Sequence, residues 1–168
     1  AEGWARMDVV SADSYTGNDP ATQYTRVEHF EQDRGYQEDP FRLDLERYHW
    51  NDGREVEEAL GSVRFVNPVP GGELTVRWTA ARFQGVTDPY SFALRSEDGS
   101  TEIDLGTQLL AAANGGLVEL ERVVASAAID DGPWLFRMRR EGVPNSFLSG
   151  YFGEVELEYP ATYRAVGN

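Results

Sequence analysis

From about residue 62 onward the chain alternates apolar and polar residues, and this period of two constrains its fold more than any other feature. A strand turns successive side chains to opposite faces, so sustained alternation makes half-buried antiparallel strands. Across residues 73–80, Leu74, Val76, Trp78 and Ala80 share one face, while Glu73, Thr75, Arg77 and Thr79 take the other. The same pattern predicts strands at SVRFV (62–66), YSFALRS (90–96), LVELERVVAS (117–126), WLFRMRR (134–140) and GEVELEYPATY (153–163). Turn chemistry separates them: PVPGG at 68–72, EDGS at 97–100, NGG at 114–116 and DDGP at 130–133. Short strands punctuated in this way imply an all-β fold, an antiparallel jelly-roll sandwich or barrel with at most one or two short helices.

Two segments leave helix and strand in competition. In REVEEALGSV, Val56 and Leu60 stand at i, i+4, while Val63 and Phe65 continue an alternation; Leu109 to Ala113 suits one helical turn closed by Gly115. The first 50 residues are rich in Asp, Gln, Tyr and Arg with isolated aromatics, a density that excludes a disordered tail. Strands are expected there at YTRVEHFEQ and FRLDLERYHW, the latter with Phe41, Leu43 and Leu45 on one face. With 168 residues and 40% hydrophobic content, the expectation is a single β-barrel domain over 1–168, preceded by an irregular N-terminal arm of about residues 1–20.

Charge narrows the function classes. Asp and Glu number 29 against 15 basic residues, all arginine, for a formal net charge of −14. Such a surface repels phosphate backbones and anionic lipid, so no direct nucleic-acid contact is expected. The lysine-free, acidic balance fits a protein kept soluble in concentrated salt, and equally a GC-rich genome that favours arginine codons. Apolar runs stop far short of a bilayer span, and the first residues lack a basic leader and apolar core, so a soluble chain is expected. Cysteine is absent, which excludes disulfides, thiolate metal sites and a cysteine nucleophile.

No catalytic signature accompanies this pattern: G-x-S-x-G, S-x-x-K and the phosphate-binding glycine loops are all missing, and no enzyme is expected. His29 and His49 are the only histidines, and a metal would require them to converge with a third ligand such as Glu28 or Asp52. Adjacent carboxylates (Glu38-Asp39, Glu57-Glu58, Asp130-Asp131) are frequent by chance in so acidic a chain, and NDG and DDG are turn formers. No catalytic, cofactor or metal residue is therefore assigned; a structural divalent cation is the only cofactor the carboxylates leave open. Twenty aromatics raise a second theme, sugar stacking on a β-sandwich, but the alternation points Trp78 and Trp134 inward. Trp4 and Trp50 lie near segment ends, where they suit an interface. In 134–140, Arg137 and Arg139 form an outward row, expected to pair with Glu154, Glu156 and Glu158 if the last two strands adjoin.

The succession VRFVNPVPGGELTVRWTA (63–80), LFRMRREG (135–142) and SGYFGEVELEYP (149–160) resembles single jelly-roll, upright-barrel major capsid proteins of icosahedral viruses with an internal membrane, of halophilic archaeal or thermophilic bacterial type. The resemblance implies a virion structural protein without enzymatic activity. It implies self-assembly, or assembly with a second related capsid protein, into capsomers close to a viral membrane but not inserted in it. Trp4, Trp50, Arg137 and Arg139 are the candidate subunit contacts, and assembly is expected to depend on salt or divalent ions. The alternative is a non-catalytic carbohydrate- or receptor-binding sandwich, extracellular rather than part of a virion.

Overall fold

The computed structural model describes residues 23–31, 35–36, 48–49, 58–82, 87–110, 118–125, 128–142 and 150–163. Strands β1 (Gln23–Phe30), β10 (Gly150–Thr162), β5 (Glu73–Arg82) and β8 (Val118–Ala125) form sheet I in that order. Sheet II runs β4 (Glu58–Phe65), β9 (Gly132–Arg140), β6 (Asp88–Ser96), β7 (Glu102–Leu110). The short strands β2 (Gly35–Tyr36) and β3 (Tyr48–His49) pair with each other. All pairings are antiparallel, and there is no helix among the described residues.

The pairing is nested. Of the eight long strands, the first pairs the last (β1·β10), then β4·β9, β5·β8 and β6·β7. This is one long antiparallel hairpin, rolled up so that β10 also pairs β5 and β6 also pairs β9. A hairpin wound in this way is a jelly roll, which closes a core between two sheets without parallel crossovers. The fold class expected from alternation is therefore the one observed, as a two-sheet sandwich.

The inward stripes meet as their periodicity dictates. Leu74, Val76, Trp78 and Ala80 of β5 are buried, as are Trp134, Phe136 and Met138 of β9. Phe136 sits among rings, with centroids 5.0 Å from Phe152, 5.6 Å from Trp78 and 6.1 Å from Phe92. Each large side chain so buried contributes roughly 1.5–3 kcal/mol. Where the alternation breaks, the backbone supplies a bulge. Phe152 and Val155 are both buried, three apart, and the register of β10 on β5 shifts between them, at Gly153-Glu154. A second irregularity lies where Phe92 and Ala93 face Gly106 and Asp104, with Gly106 at φ 93°. Only glycine adopts that conformation cheaply, and the neighbouring Leu105 carbonyl accepts a hydrogen bond from Arg122 Nε at 3.1 Å.

Several expectations change. Residues 58–65 are strand from Glu58, because Ala59, Gly61, Val63 and Phe65 fill the inner face in turn and an i, i+4 helical pair would break that stripe. Extended β7 takes Leu109 and Leu110, and residues 111–117 lie outside the described residues. The outward row of β9 does not adjoin β10: the two strands belong to opposite sheets, so Arg137 and Arg139 cannot reach Glu154, Glu156 or Glu158. Trp4, Trp50, the arm at 1–20 and Phe41 to Leu45 also lie outside the described residues.

Candidate functional site

The outer face of sheet I carries the densest polar arrangement among the described residues. Register places one residue of each strand in a line: His29 on β1 opposite Glu156 on β10, Glu156 opposite Arg77 on β5, and Arg77 opposite Glu121 on β8. Charges directly opposite one another on the same sheet face interact most strongly. Arg77 Nε donates to Glu121 Oε2 at 2.7 Å, and its Nη1 donates to Glu156 Oε1 at 2.5 Å and Glu158 Oε2 at 2.8 Å. One guanidinium thus ties three strands, and the hydrogen bonds to Glu158, Glu121 and Glu156 hold its proton more tightly than in free arginine. Partial exposure and solvent screening keep the stabilisation modest.

His29 extends the line. Its Nδ1 lies 3.0 Å from Glu154 Oε1 and its Nε2 lies 3.3 Å from Glu156 Oε2. The bulge places Glu154 there, and its backbone N–H donates to Thr79 Oγ1 at 3.3 Å. Between β10, β5 and β8 this face sinks into a depression of about 480 Å³, lined by Arg77, Thr79, Glu119, Glu121, Glu154 and Glu156, with Trp78 and Leu120 beneath.

At the β1 edge the inner face is also polar. Arg26 donates to Glu28 and to the Tyr24 hydroxyl; burial opposes the Arg26 charge, but those two partners outweigh it and the guanidinium is held above its ordinary value. Tyr159, opposite Arg26, accepts the Val66 backbone N–H at 2.9 Å, and burial pushes its hydroxyl up to about 12.

On the outer face of sheet II, Arg137 reaches Glu102 at 3.0 Å and Glu58 at 3.9 Å, its true partners in place of the β10 glutamates. Arg139 is exposed on the same face, and Arg140, one residue on, turns to Asp88 at 2.6 Å. Trp78 and Trp134 are core residues, as their alternation implies. Tyr24 and Tyr163 form a ring pair at 4.6 Å, tilted by 32°. Among the described residues no group of three or more His, Cys, Asp and Glu side chains is arranged to hold a metal ion, and His29 is engaged by glutamates on β10. No described helix is long and apolar enough to cross a membrane. The sequence pointed to Arg137 and Arg139 and passed over Arg77, whose outward place in the alternation was legible but whose neighbours were not.

No family model matches the chain, and no curated protein matches it. Among solved structures, a region of dimeric latent PorU from Porphyromonas gingivalis superposes with a TM-score of 0.61 at 13% identity. The match covers 94% of this chain and 15% of that one, so the chain spans a small part of PorU's length. A family 35 carbohydrate-binding module from Cellvibrio japonicus Abf62 superposes at 0.45 with 8% identity, over 83% of this chain and 90% of that one. Another from Clostridium thermocellum reaches 0.41 with 12% identity, over 80% and 90%. At these identities the likeness to PorU concerns the fold alone, and the weaker superpositions add nothing to it.

Proposed function

We propose that the chain is a non-catalytic binding module whose ligand is a carbohydrate, seated in the depression on the outer face of sheet I. The observation that carries this is the lining of that depression: Arg77 and Thr79 at its floor, Glu119, Glu121, Glu154 and Glu156 around it. Sugar hydroxyls both donate and accept, so a neutral polyhydroxylated chain can satisfy carboxylates and guanidinium together, whereas an anion would meet mostly carboxylates. A shallow polar site of this size supports weak affinity, with Kd on the order of 10–1,000 μM. A glycosidase would instead need a carboxyl raised toward neutrality to act as acid. Asp98 moves the other way, to about 2, because Ser96 and Ser100 hydrogen-bond its ionised form. In this reading the module works outside the cell, where polymeric glycans are met.

A capsid role shares the jelly roll, but one fold serves many functions and does not select among them. The chemistry of the sheet I face favours a ligand over a shell. Glycan-array screening followed by calorimetry with the best oligosaccharide tests the proposal. Binding weakened at least tenfold in Arg77→Met, with the fold retained, is the expected result. Silence across neutral glycans, or binding indifferent to Arg77→Met and Glu119→Gln, overturns it, and closed particles in electron micrographs would restore the capsid reading.

A further inference from the structure

The two outer faces of the sandwich carry different charge balances, one strongly acidic and one even. On sheet I, six carboxylates (Glu73, Glu119, Glu121, Glu154, Glu156, Glu158) face solvent with one guanidinium, Arg77. On sheet II, four guanidiniums (Arg64, Arg95, Arg137, Arg139) stand with four carboxylates, Glu58, Glu102, Asp104 and Glu141, the last accepting a hydrogen bond from Ser91. This segregation occurs in a chain with almost two acids per arginine. Arg64 and Arg139 are exposed and make no ion pair with a carboxylate among the described residues, Glu58, opposite Arg139, being turned toward Arg137, whereas Arg77 makes three. An exposed guanidinium without an ion pair among the described residues of so acidic a protein is suited to a partner surface, since Arg is the side chain best fitted to bidentate carboxylate contacts.

We propose that sheet II of one copy docks on sheet I of the next, with Arg64 and Arg139 against the glutamates beside Arg77. The complementary acidic face is present on the molecule itself, so a second copy is the occupant the charges specify. Because donor and acceptor faces differ, the contact is heterologous and repeats as an open stack rather than closing as a twofold dimer. Four strands at about 4.8 Å spacing and eight residues at about 3.3 Å bound each face near 500 Å². The pair buries about 1,000 Å² in total, below the 1,200–2,000 Å² of stable complexes, so association is weak and concentration-dependent.

Salt dependence follows from two length scales. At about 0.01 M salt the Debye length near 30 Å leaves the overall negative charges of two copies repelling each other. At about 0.15 M it falls to about 8 Å, which screens the bodies but not the apposed side chains; at 1 M, near 3 Å, the contacts weaken too. Stacking therefore peaks at intermediate ionic strength, in contrast to assembly that grows with salt. It is independent of the glycan reading and shares only the Arg77 face with it, so a bound sugar and a docked copy compete.

Sedimentation velocity of the full chain, from 10 μM to 1 mM across these salts, tests the proposal. Wild type is expected to shift to larger species most strongly near 0.15 M. Arg64→Glu with Arg139→Glu in one chain, and Glu73→Arg with Glu119→Arg in another, each reduce self-association at least tenfold. All four residues are exposed, and circular dichroism verifies that both variants fold. Mixing the two variants leaves one intact acidic face and one intact arginine face, so a 1:1 complex appears. A wild type that stays monomeric throughout, association that persists in either variant, or a mixture without complex overturns stacking. Glycan binding measured separately on the Arg64→Glu, Arg139→Glu chain reports on the sugar site whatever the stacking result.

Discussion

Replacing Arg77 by Met is the most direct test of how sheet I is held. The methionine keeps most of the aliphatic stem and removes hydrogen bonds to Glu121, Glu156 and Glu158 at 2.5–2.8 Å. Exposed cross-strand ion pairs are worth about 0.2–1 kcal/mol each. Arg77 is 41% exposed and its geometry is shared among three partners, so the lower half of that range applies and the sum is about 1–1.5 kcal/mol. The three glutamates left behind repel one another, which brings the expected loss to about 1.5–2 kcal/mol at low salt. For a domain of this size that lowers Tm by about 3–8 °C. Urea unfolding of wild type and variant at pH 7 in 0.05 and 1 M NaCl reads the difference, which is expected to shrink by half or more in the higher salt as the Debye length falls to about 3 Å. Arg77→Lys should recover part of the loss, since an ammonium restores the charge but not the fork that spans β8 and β10. A variant as stable as wild type at 0.05 M, or a deficit unchanged by salt, would refute the view that Arg77 ties the sheet electrostatically.

Two further outcomes follow from the core. Phe136→Ala empties the centre of the ring cluster, where the side chain has no exposure, and should cost about 3–5 kcal/mol in urea unfolding, a large share of the 5–15 kcal/mol typical of a domain. Tyr159→Phe leaves the Val66 N–H without its acceptor and should cost about 1–2 kcal/mol at pH 7. The Tyr159 hydroxyl titrates near 12 in the fold against 10 ordinarily, so the folded state binds more protons between those values and wild-type stability falls as pH rises from 10 to 12. The phenylalanine variant should lack that share of the alkaline slope, as stability measured at pH 8, 10 and 11 would reveal.

Much of this organisation was legible before any coordinates. Trp78, Phe136 and Met138 could be assigned inward because side-chain direction in a strand repeats every two residues, a property of the local backbone. The bulge at Gly153-Glu154 was not read in advance: the strand was expected to begin at Gly153, and the irregularity emerges only where β10 pairs β5. Where two patterns competed, as at 56–65, the choice depended on what the inner face had to meet. The four-residue helical spacing lost to a stripe that fills the space opposite Tyr159 and Trp134, the rings that pack on Phe65.

Partnership between strands was another matter. β9 and β10 are consecutive, and a polar row on each made a hairpin the simplest arrangement. The jelly roll instead sends them to opposite sheets, because the nested pairing gives β10 to β1 and β9 to β4. Which strands adjoin is decided by how the whole hairpin closes over one core, a non-local outcome that no window of sequence contains. Alternation by itself determined an all-β chain, sandwich or barrel, and which faces of strands such as β5 and β9 turn inward. Only the tertiary structure decided that Arg77 sits among three glutamates while Arg64 and Arg139 face outward without an ion pair among the described residues, since charge on a sheet surface acquires partners through register and strand order.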